Sequence, residues 1–148
     1  MLAFATISEF ESTLGNTNLL ELPNSANRGR VFAKCEWENP TGSIKDRVAY
    51  HLVMNELQGR VPGEHIKILE YTGGSLGVSL ALITRLLGLE CKLVLSEATA
   101  GSIINIIRQH GASTVLVARE NGFLGVINKA IEVYEADPSW SFLFQHEN

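Results

Sequence analysis

Apolar residues recur along this chain with two alternating periods. In residues 66–148, short unbroken apolar runs alternate with stretches whose apolar positions return every three or four residues. The runs at 66–71, 91–96, 114–118 and 141–145 have the length of strands. The stretches at 76–87, about 100–110 and 123–136 have the spacing and length of helices. Gly88 and Gly111 stand where two helices stop just ahead of the next strand, and Asp137-Pro138 breaks the last helix. Unbroken apolar strands joined by helices predict an α/β fold: a parallel four-stranded sheet with helices on both faces, filling residues 66–148.

Residues 1–65 read differently. Thr6 and Glu9 have capping-box spacing and Gly15 stands at a helix stop, so 6–14 reads as a short helix. Leu19–Leu22 reads as extended and 24–29 as a polar turn. Val31, Ala33, Cys35 and Trp37 alternate with Phe32, Lys34 and Glu36, the two-residue period of a strand over 30–37. The two extended pieces predict an antiparallel pair. After a loop at 38–43, Ser43 is a natural N-cap for a helix over 44–58, ended by Gly59. The expected division is therefore 1–65, an N-terminal β-arm and helix, and 66–148, a small α/β domain.

Composition narrows the function classes. The 148 residues suffice for one domain with a real core, or two small lobes. A hydrophobic content of 45% with 19% charged residues is that of an ordinary soluble globular protein. The formal net charge of −4 leaves no basic stripe to neutralise phosphates, which argues against a nucleic-acid partner. Cys35 and Cys91 are isolated, with no CxxC, and read as reduced thiols of a cytoplasmic protein. Residues 1–10 show no signal-peptide pattern, and the longest apolar run, interrupted by Arg85, is too short to span a membrane. The four histidines make no metal-ligand spacing, so no metal site is expected. No GxSxG elbow marks a serine hydrolase.

Two stretches carry candidate chemistry. Thr72-Gly73-Gly74-Ser75 lies between a strand and a helix, where glycines let backbone approach a ligand. The first free N–H groups of that helix, near Ser75, Leu76 and Gly77, point into the space with the positive end of the helix dipole. Such a place suits a carboxylate or a phosphate. As a dinucleotide fingerprint the stretch is partial: Gly74-x-x-Gly77 lacks the leading Gly-x-Gly, and Glu97, about twenty positions on, lies just after a strand that ends in Ser96. The second stretch is the start of the helix at 44–58. Lys45 in its first turn faces the unfavourable end of the dipole, which favours a neutral, nucleophilic amine. The alternative for Lys45 is an ordinary surface lysine, and for the loop an ordinary strand-to-helix turn.

Three separated stretches, taken together, resemble one family. Leu14-Gly15-Asn16-Thr17-Asn18-Leu19, then Asn39-Pro40-Thr41-Gly42-Ser43-Ile44-Lys45-Asp46-Arg47, then Glu70-Tyr71-Thr72-Gly73-Gly74-Ser75-Leu76-Gly77 look like the successive motifs of the cysteine synthase and cystathionine β-synthase family. These are fold-type-II enzymes dependent on pyridoxal 5'-phosphate. Residues 88–96 and 110–117 continue the similarity, and Phe144-Gln145-His146-Glu147-Asn148 resembles that family's Gln-Phe-x-Asn segment.

The resemblance implies that Lys45 carries the cofactor as a Schiff base and moves the α-proton of the substrate. It implies that Ser75 contacts the cofactor ring, and that Thr72, Gly73, Gly74, Ser75, Leu76 and Gln145 bind the substrate carboxylate. The expected reaction is β-replacement on an activated serine by a thiol or sulfide. The family's usual loop is Thr-Ser-Gly-Asn-Thr-Gly, so Gly73, Ser75 and Leu76 depart from it, and Leu76 offers only its backbone N–H. Members of the family run to roughly twice this length. The resemblance therefore covers an N-terminal half: the small domain plus the arm and lysine helix of an incomplete large domain. That arm should expose unpaired edges and apolar surface, which predicts self-association. Two other functions compete: a catalytically degenerate binding or regulatory module, and a nucleotide-binding α/β domain using the glycine loop for phosphate.

Overall fold

The computed structural model describes residues 4–23, 29–61 and 64–147. The polar turn expected at 24–29 lies outside them except for Gly29, as does Asn148.

The chain begins with a short helix, α1 (Ile7–Ser12), closed by the expected capping box: the Thr6 hydroxyl accepts from the Glu9 N–H, and the Glu9 carboxylate accepts from the Thr6 N–H. Strands β1 (Leu19–Leu22) and β2 (Val31–Lys34) pair antiparallel, with Leu19 opposite Lys34 and Leu22 opposite Val31. The second strand is shorter than the sequence period indicates. At Glu36–Glu38 the chain turns into a single 3₁₀ turn, whose carbonyls and side chains fold back to hold the following loop. Helix α2 (Lys45–Leu57) follows.

The remainder is a regular alternation: β3 (Lys67–Tyr71), α3 (Ser75–Leu87), β4 (Glu90–Ser96), α4 (Gly101–Gln109), β5 (Ser113–Val117), α5 (Gly122–Ala136) and β6 (Trp140–Phe142). The four strands form one parallel sheet in the order β5-β4-β3-β6. Every element expected from hydrophobic period is present, with ends displaced by at most three residues. Like β2, the last strand ends three residues early, because the segment after Phe142 leaves the sheet for a tight turn.

Alternation along the strands divides the interior between two faces. Ile68, Cys91, Leu93 and Leu95 point to one side, where α3 and α4 cover them, and Phe10, Ala49, Leu52 and Val53 from α1 and α2 join the same core. Leu69, Tyr71, Val94, Val117 and Trp140 point to the other side, under Val126 and Ala130 of α5. On that side two lysines lie over the Trp140 ring, Lys67 Nζ at 4.8 Å and Lys92 Nζ at 4.2 Å from its centroid. The β1–β2 arm contrasts with the sheet. Leu19, Leu20, Leu22, Val31 and Phe32 are all exposed, Leu19 by 61%. Among the described residues no helix is long and apolar enough to cross a membrane.

Strand order locates the cleft. From β3 the chain steps outward through β4 to β5, with α3 and α4 on one face. It then returns along the other face through α5 to lay β6 on the opposite side of β3. The winding reverses between β3 and β6. Loops leaving neighbouring strands in opposite directions open a crevice beyond their carboxyl ends.

A polar network ties the arm to the loop before α2. The Glu36 carboxylate accepts two hydrogen bonds from Arg47, at 2.9 and 3.0 Å, and one from Asn39 Nδ2 at 2.7 Å. Asn39 Oδ1 in turn accepts from the Gly15 N–H at 3.0 Å. Gly15 has φ +80°, and a Cβ there would fall 2.6 Å from Arg47 Nη1, so both conformation and space call for glycine. Arg47 holds the Glu36 carboxyl down at about 2, against an ordinary 4.5. Stability from this group is therefore complete above pH 4.5 and is lost as pH falls from there through about 2. In acid-unfolding curves followed by circular dichroism, Glu36→Gln should be less stable than the parent at neutral pH. The gap should close as pH drops through that window; a gap constant with pH would contradict the assignment.

Candidate active site

Loops from both sides of the winding reversal meet the start of α2 in a cleft of about 350 Å³ lined by Ser43, Ile44, Lys45, Thr72–Leu76 and Gln145. That volume lies inside the range of about 300–1,000 Å³ typical of small-molecule clefts. Lys45, Thr72, Gly73, Gly74, Ser75, Leu76 and Gln145, expected from the sequence to share a site, all line it.

The glycine loop is shaped from within. Thr72 is 1% exposed, and its hydroxyl accepts from the Gly74 N–H at 3.0 Å and the Gly77 N–H at 3.2 Å. Gly74 has φ +148°, out of reach of ordinary side-chain-bearing residues. A Cβ on Gly77 would stand 2.8 Å from Thr72 Cγ2 and 3.0 Å from Ile107 Cδ1. So Gly77, expected to offer its N–H to a ligand, instead turns it inward to Thr72. The buried hydroxyl needs donors, and this is the one it finds a turn into the helix. The N–H groups of Ser75 and Leu76 have no partner among the described residues. They leave the first turn of α3 along its dipole. The Leu76 side chain is 2% exposed and packs into the core, so this residue gives the cleft only backbone. A Cβ on Gly73 would meet nothing within 4 Å, which leaves open space at that edge.

Lys45 is the first residue of α2. The helix starts one residue later than expected, with Ile44 rather than Ser43 at the N-cap position; the Ser43 hydroxyl nonetheless accepts from the Lys45 N–H at 3.1 Å. Lys45 Nζ has no hydrogen-bond or ion-pair partner among the described residues. Its neighbour Asp46 is fully buried. One oxygen of that carboxylate accepts from the Ser79 hydroxyl and from the Thr41 hydroxyl, both at 2.6 Å, and the other from the Thr41 N–H at 2.7 Å. Ser79 lies one turn beyond Ser75 on α3. Asp46 thus joins the loop before the lysine to the helix after the glycine loop.

Gln145 enters from the far side. Phe144, just before it, has φ +49°, unusual for a residue with a side chain, and stacks on Phe142 at 3.8 Å between ring centroids. The turn aims the Gln145 amide back at β3, where Nε2 donates to the Tyr71 carbonyl at 2.6 Å and lies 3.4 Å from Glu70 Oε1. His146 Nδ1 is 2.9 Å from the Tyr71 hydroxyl.

Asp46, Ser79 and Glu70 were not singled out in the sequence. Each leaves a faint signal: an acid beside the candidate lysine, a small polar residue inside an apolar helical stripe, and a charge inside a strand that is otherwise buried.

Residues 10–148 match the family described as "Pyridoxal-phosphate dependent enzyme", and the chain belongs to that family, whose cofactor is pyridoxal phosphate. It is 35% identical to a cysteine synthase of Flavobacterium sp. over 86% of this chain and 42% of that protein. It is 34% identical to cysteine synthase B of Escherichia coli, over 86% of this chain and 43% of that one. Among solved structures, an O-acetylserine dependent cystathionine beta-synthase from Helicobacter pylori superposes with a TM-score of 0.86 at 27% identity, covering all of this chain and 49% of that one. The chain therefore spans less than half the length of these relatives.

The residues present fit one side of such a cofactor. An unpartnered primary amine, two unengaged N–H groups on a helix terminus and the exposed Ser75 hydroxyl face one volume of suitable size.

Two substitutions test the framework. Asp46→Ala removes the buried acceptor of three hydrogen bonds and should lower stability by roughly 3 kcal/mol. Gly77→Ala should cost about 1–3 kcal/mol through the contact with Thr72 and Ile107. Urea unfolding reads both, and a midpoint unchanged in either variant would contradict the packing described.

Proposed function

We propose that this chain provides the lysine and carboxylate-binding side of an enzyme performing β-replacement on an activated serine, with a thiol or sulfide as incoming nucleophile. The observation that supports this most is the convergence of Lys45 and the Thr72–Leu76 loop on one cleft, reached from sequence positions far apart.

Bound pyridoxal phosphate would supply an electron sink for the charge that develops at the substrate α-carbon. Lys45 would hold the cofactor through its aldehyde and would move the α-proton of the substrate. The free N–H groups of Ser75 and Leu76 hold the substrate carboxylate, aided by the helix dipole. Thr72 keeps those N–H groups in register by bracing the loop, and Gly73 leaves room for the amino acid to enter. Ser75 contacts the cofactor ring through its hydroxyl. Asp46 fixes the first turn of α2 against α3, so that the amine and the carboxylate seat keep one spacing. Gln145 closes the cleft on the β6 side.

A second reading has a specific observation in its favour. Leu76 gives the carboxylate seat only its backbone, which fits a module that keeps the cleft without turnover. The two readings separate experimentally. Incubation with pyridoxal phosphate should give a visible absorption band, and borohydride followed by peptide mass mapping should place the label on Lys45. Lys45→Ala should abolish both. A band with no release of the leaving group from an activated serine would favour the module, and labelling elsewhere would remove both readings.

We also propose that the β1–β2 arm drives self-association, since five of its apolar side chains are exposed. Sedimentation velocity should show a species larger than monomer, and Leu20→Glu with Phe32→Glu should shift it to monomer. A parent protein that sediments as a single monomer would overturn this.

A further inference from the structure

Glu70 is a fully buried acid in the parallel sheet. It sits on β3 one residue before the strand ends, with no exposure to solvent. One carboxylate oxygen accepts from the Tyr71 N–H at 3.0 Å and lies 3.4 Å from Gln145 Nε2; the other has no hydrogen-bond partner among the described residues. A buried carboxylate with half its capacity unused is costly unless it does something the fold needs.

What it touches is the turn that carries Gln145 to the cleft. That turn is pinned to the end of β3 from several directions. The Leu143 N–H donates to the Leu69 carbonyl at 3.1 Å, the Gln145 amide to the Tyr71 carbonyl, and the Glu147 N–H closes the turn on the Phe144 carbonyl at 2.9 Å. Phe144 sits in the left-handed region to make the turn possible. Both groups facing the Gln145 amide from β3 are acceptors, so its NH2 must point at them. Its carbonyl oxygen is then the atom turned away from β3.

We propose that Glu70 is a positioning residue for the cleft: through its contact with Gln145 it sets how that amide is presented to a ligand, and it does so according to its own charge. An ionised Glu70 accepts from the amide with the added strength of a charged partner, holding both amide protons on β3 and leaving the carbonyl oxygen for the ligand. A protonated Glu70 holds the amide less firmly and frees an N–H to turn toward an anionic group. Burial places this change in a useful range. It pushes the carboxyl up to about 7 from an ordinary 4.5, against the opposing pull of the Tyr71 N–H and of the Gln145 and Phe144 backbone amides. The other titratable groups that interact with it are the Tyr71 phenol on its own strand and the Cys91 thiol on β4. On the 143–147 turn, His146 and Glu147 address Tyr71 instead. No cation contributes at Glu70 among the described residues.

The inference builds on the reading of the cleft as a ligand site, but its test needs no cofactor. In the ¹⁵N-labelled full chain, the side-chain amide signals of Gln145 are identified by their loss in Gln145→Ala. They should shift with pH through a single transition near neutrality in the parent. The same transition should persist in His146→Ala, which removes the imidazole beside the Tyr71 hydroxyl. It should vanish in Glu70→Gln. Should Glu70→Gln not fold, infrared spectra of the parent labelled with ¹³C-glutamate carry the test, as a protonated carboxyl band lost over the same transition. Gln145 signals that stay fixed across the neutral range, or that move alike in Glu70→Gln, or the absence of that carboxyl band, would overturn the proposal. Failure of Lys45 to take the cofactor would leave this result standing, and the reverse holds too.

Discussion

The buried carboxylate of Asp46 is the contact on which the cleft depends. It accepts three hydrogen bonds, one from the backbone of the loop before the lysine, one from that loop's threonine and one from a serine on the neighbouring helix. Two segments more than thirty residues apart are thereby joined by an acceptor that has no access to water. Removing a buried acceptor strands its donors, so such a contact resists being broken in part. The lysine inherits its position from this bond rather than from any contact of its own amine.

The sheet supplies the other half of the arrangement. Its strand order forces the chain to reverse between β3 and β6, and the reversal alone makes a crevice at their ends. What fills the rim is then a matter of local chemistry: a glycine loop after β3 and a strained turn after β6. Apolar side chains on both faces hold the strands, with α1 and α2 drawn into the same core as α3 and α4. The lysine helix is therefore packed on the scaffold that carries the loop.

Much of this was legible in the sequence because it is written in short range. Hydrophobic period gave the strands and helices of residues 66–148, and Gly88 marks a real left-handed helix stop at φ +69°. The capping box at Thr6 and Glu9 formed as its spacing required. The motif stretches were visible as residue types, and all seven candidate residues line one cleft. What the sequence could not show is which hydrogen-bonding groups are spent internally. Gly77 appeared to offer an N–H but gives it to Thr72. Gln145 appeared free to grip a carboxylate, yet its amide nitrogen already serves β3. Asp46 and Ser79 were unremarkable separately, since only the fold brings residues thirty-three apart within 2.6 Å. Glu70 looked like one more charge, and its burial is a property of the sheet around it.

The inward brace of Thr72 has a kinetic meaning as well. A loop rich in glycine has many conformations open to it, and a ligand that selected one of them would bear the entropy of that choice. Here the threonine hydroxyl makes the choice beforehand, using two N–H groups of the loop itself. An arriving anion meets a seat already formed, so its affinity reflects the contacts it makes and its arrival need not wait for the backbone to rearrange.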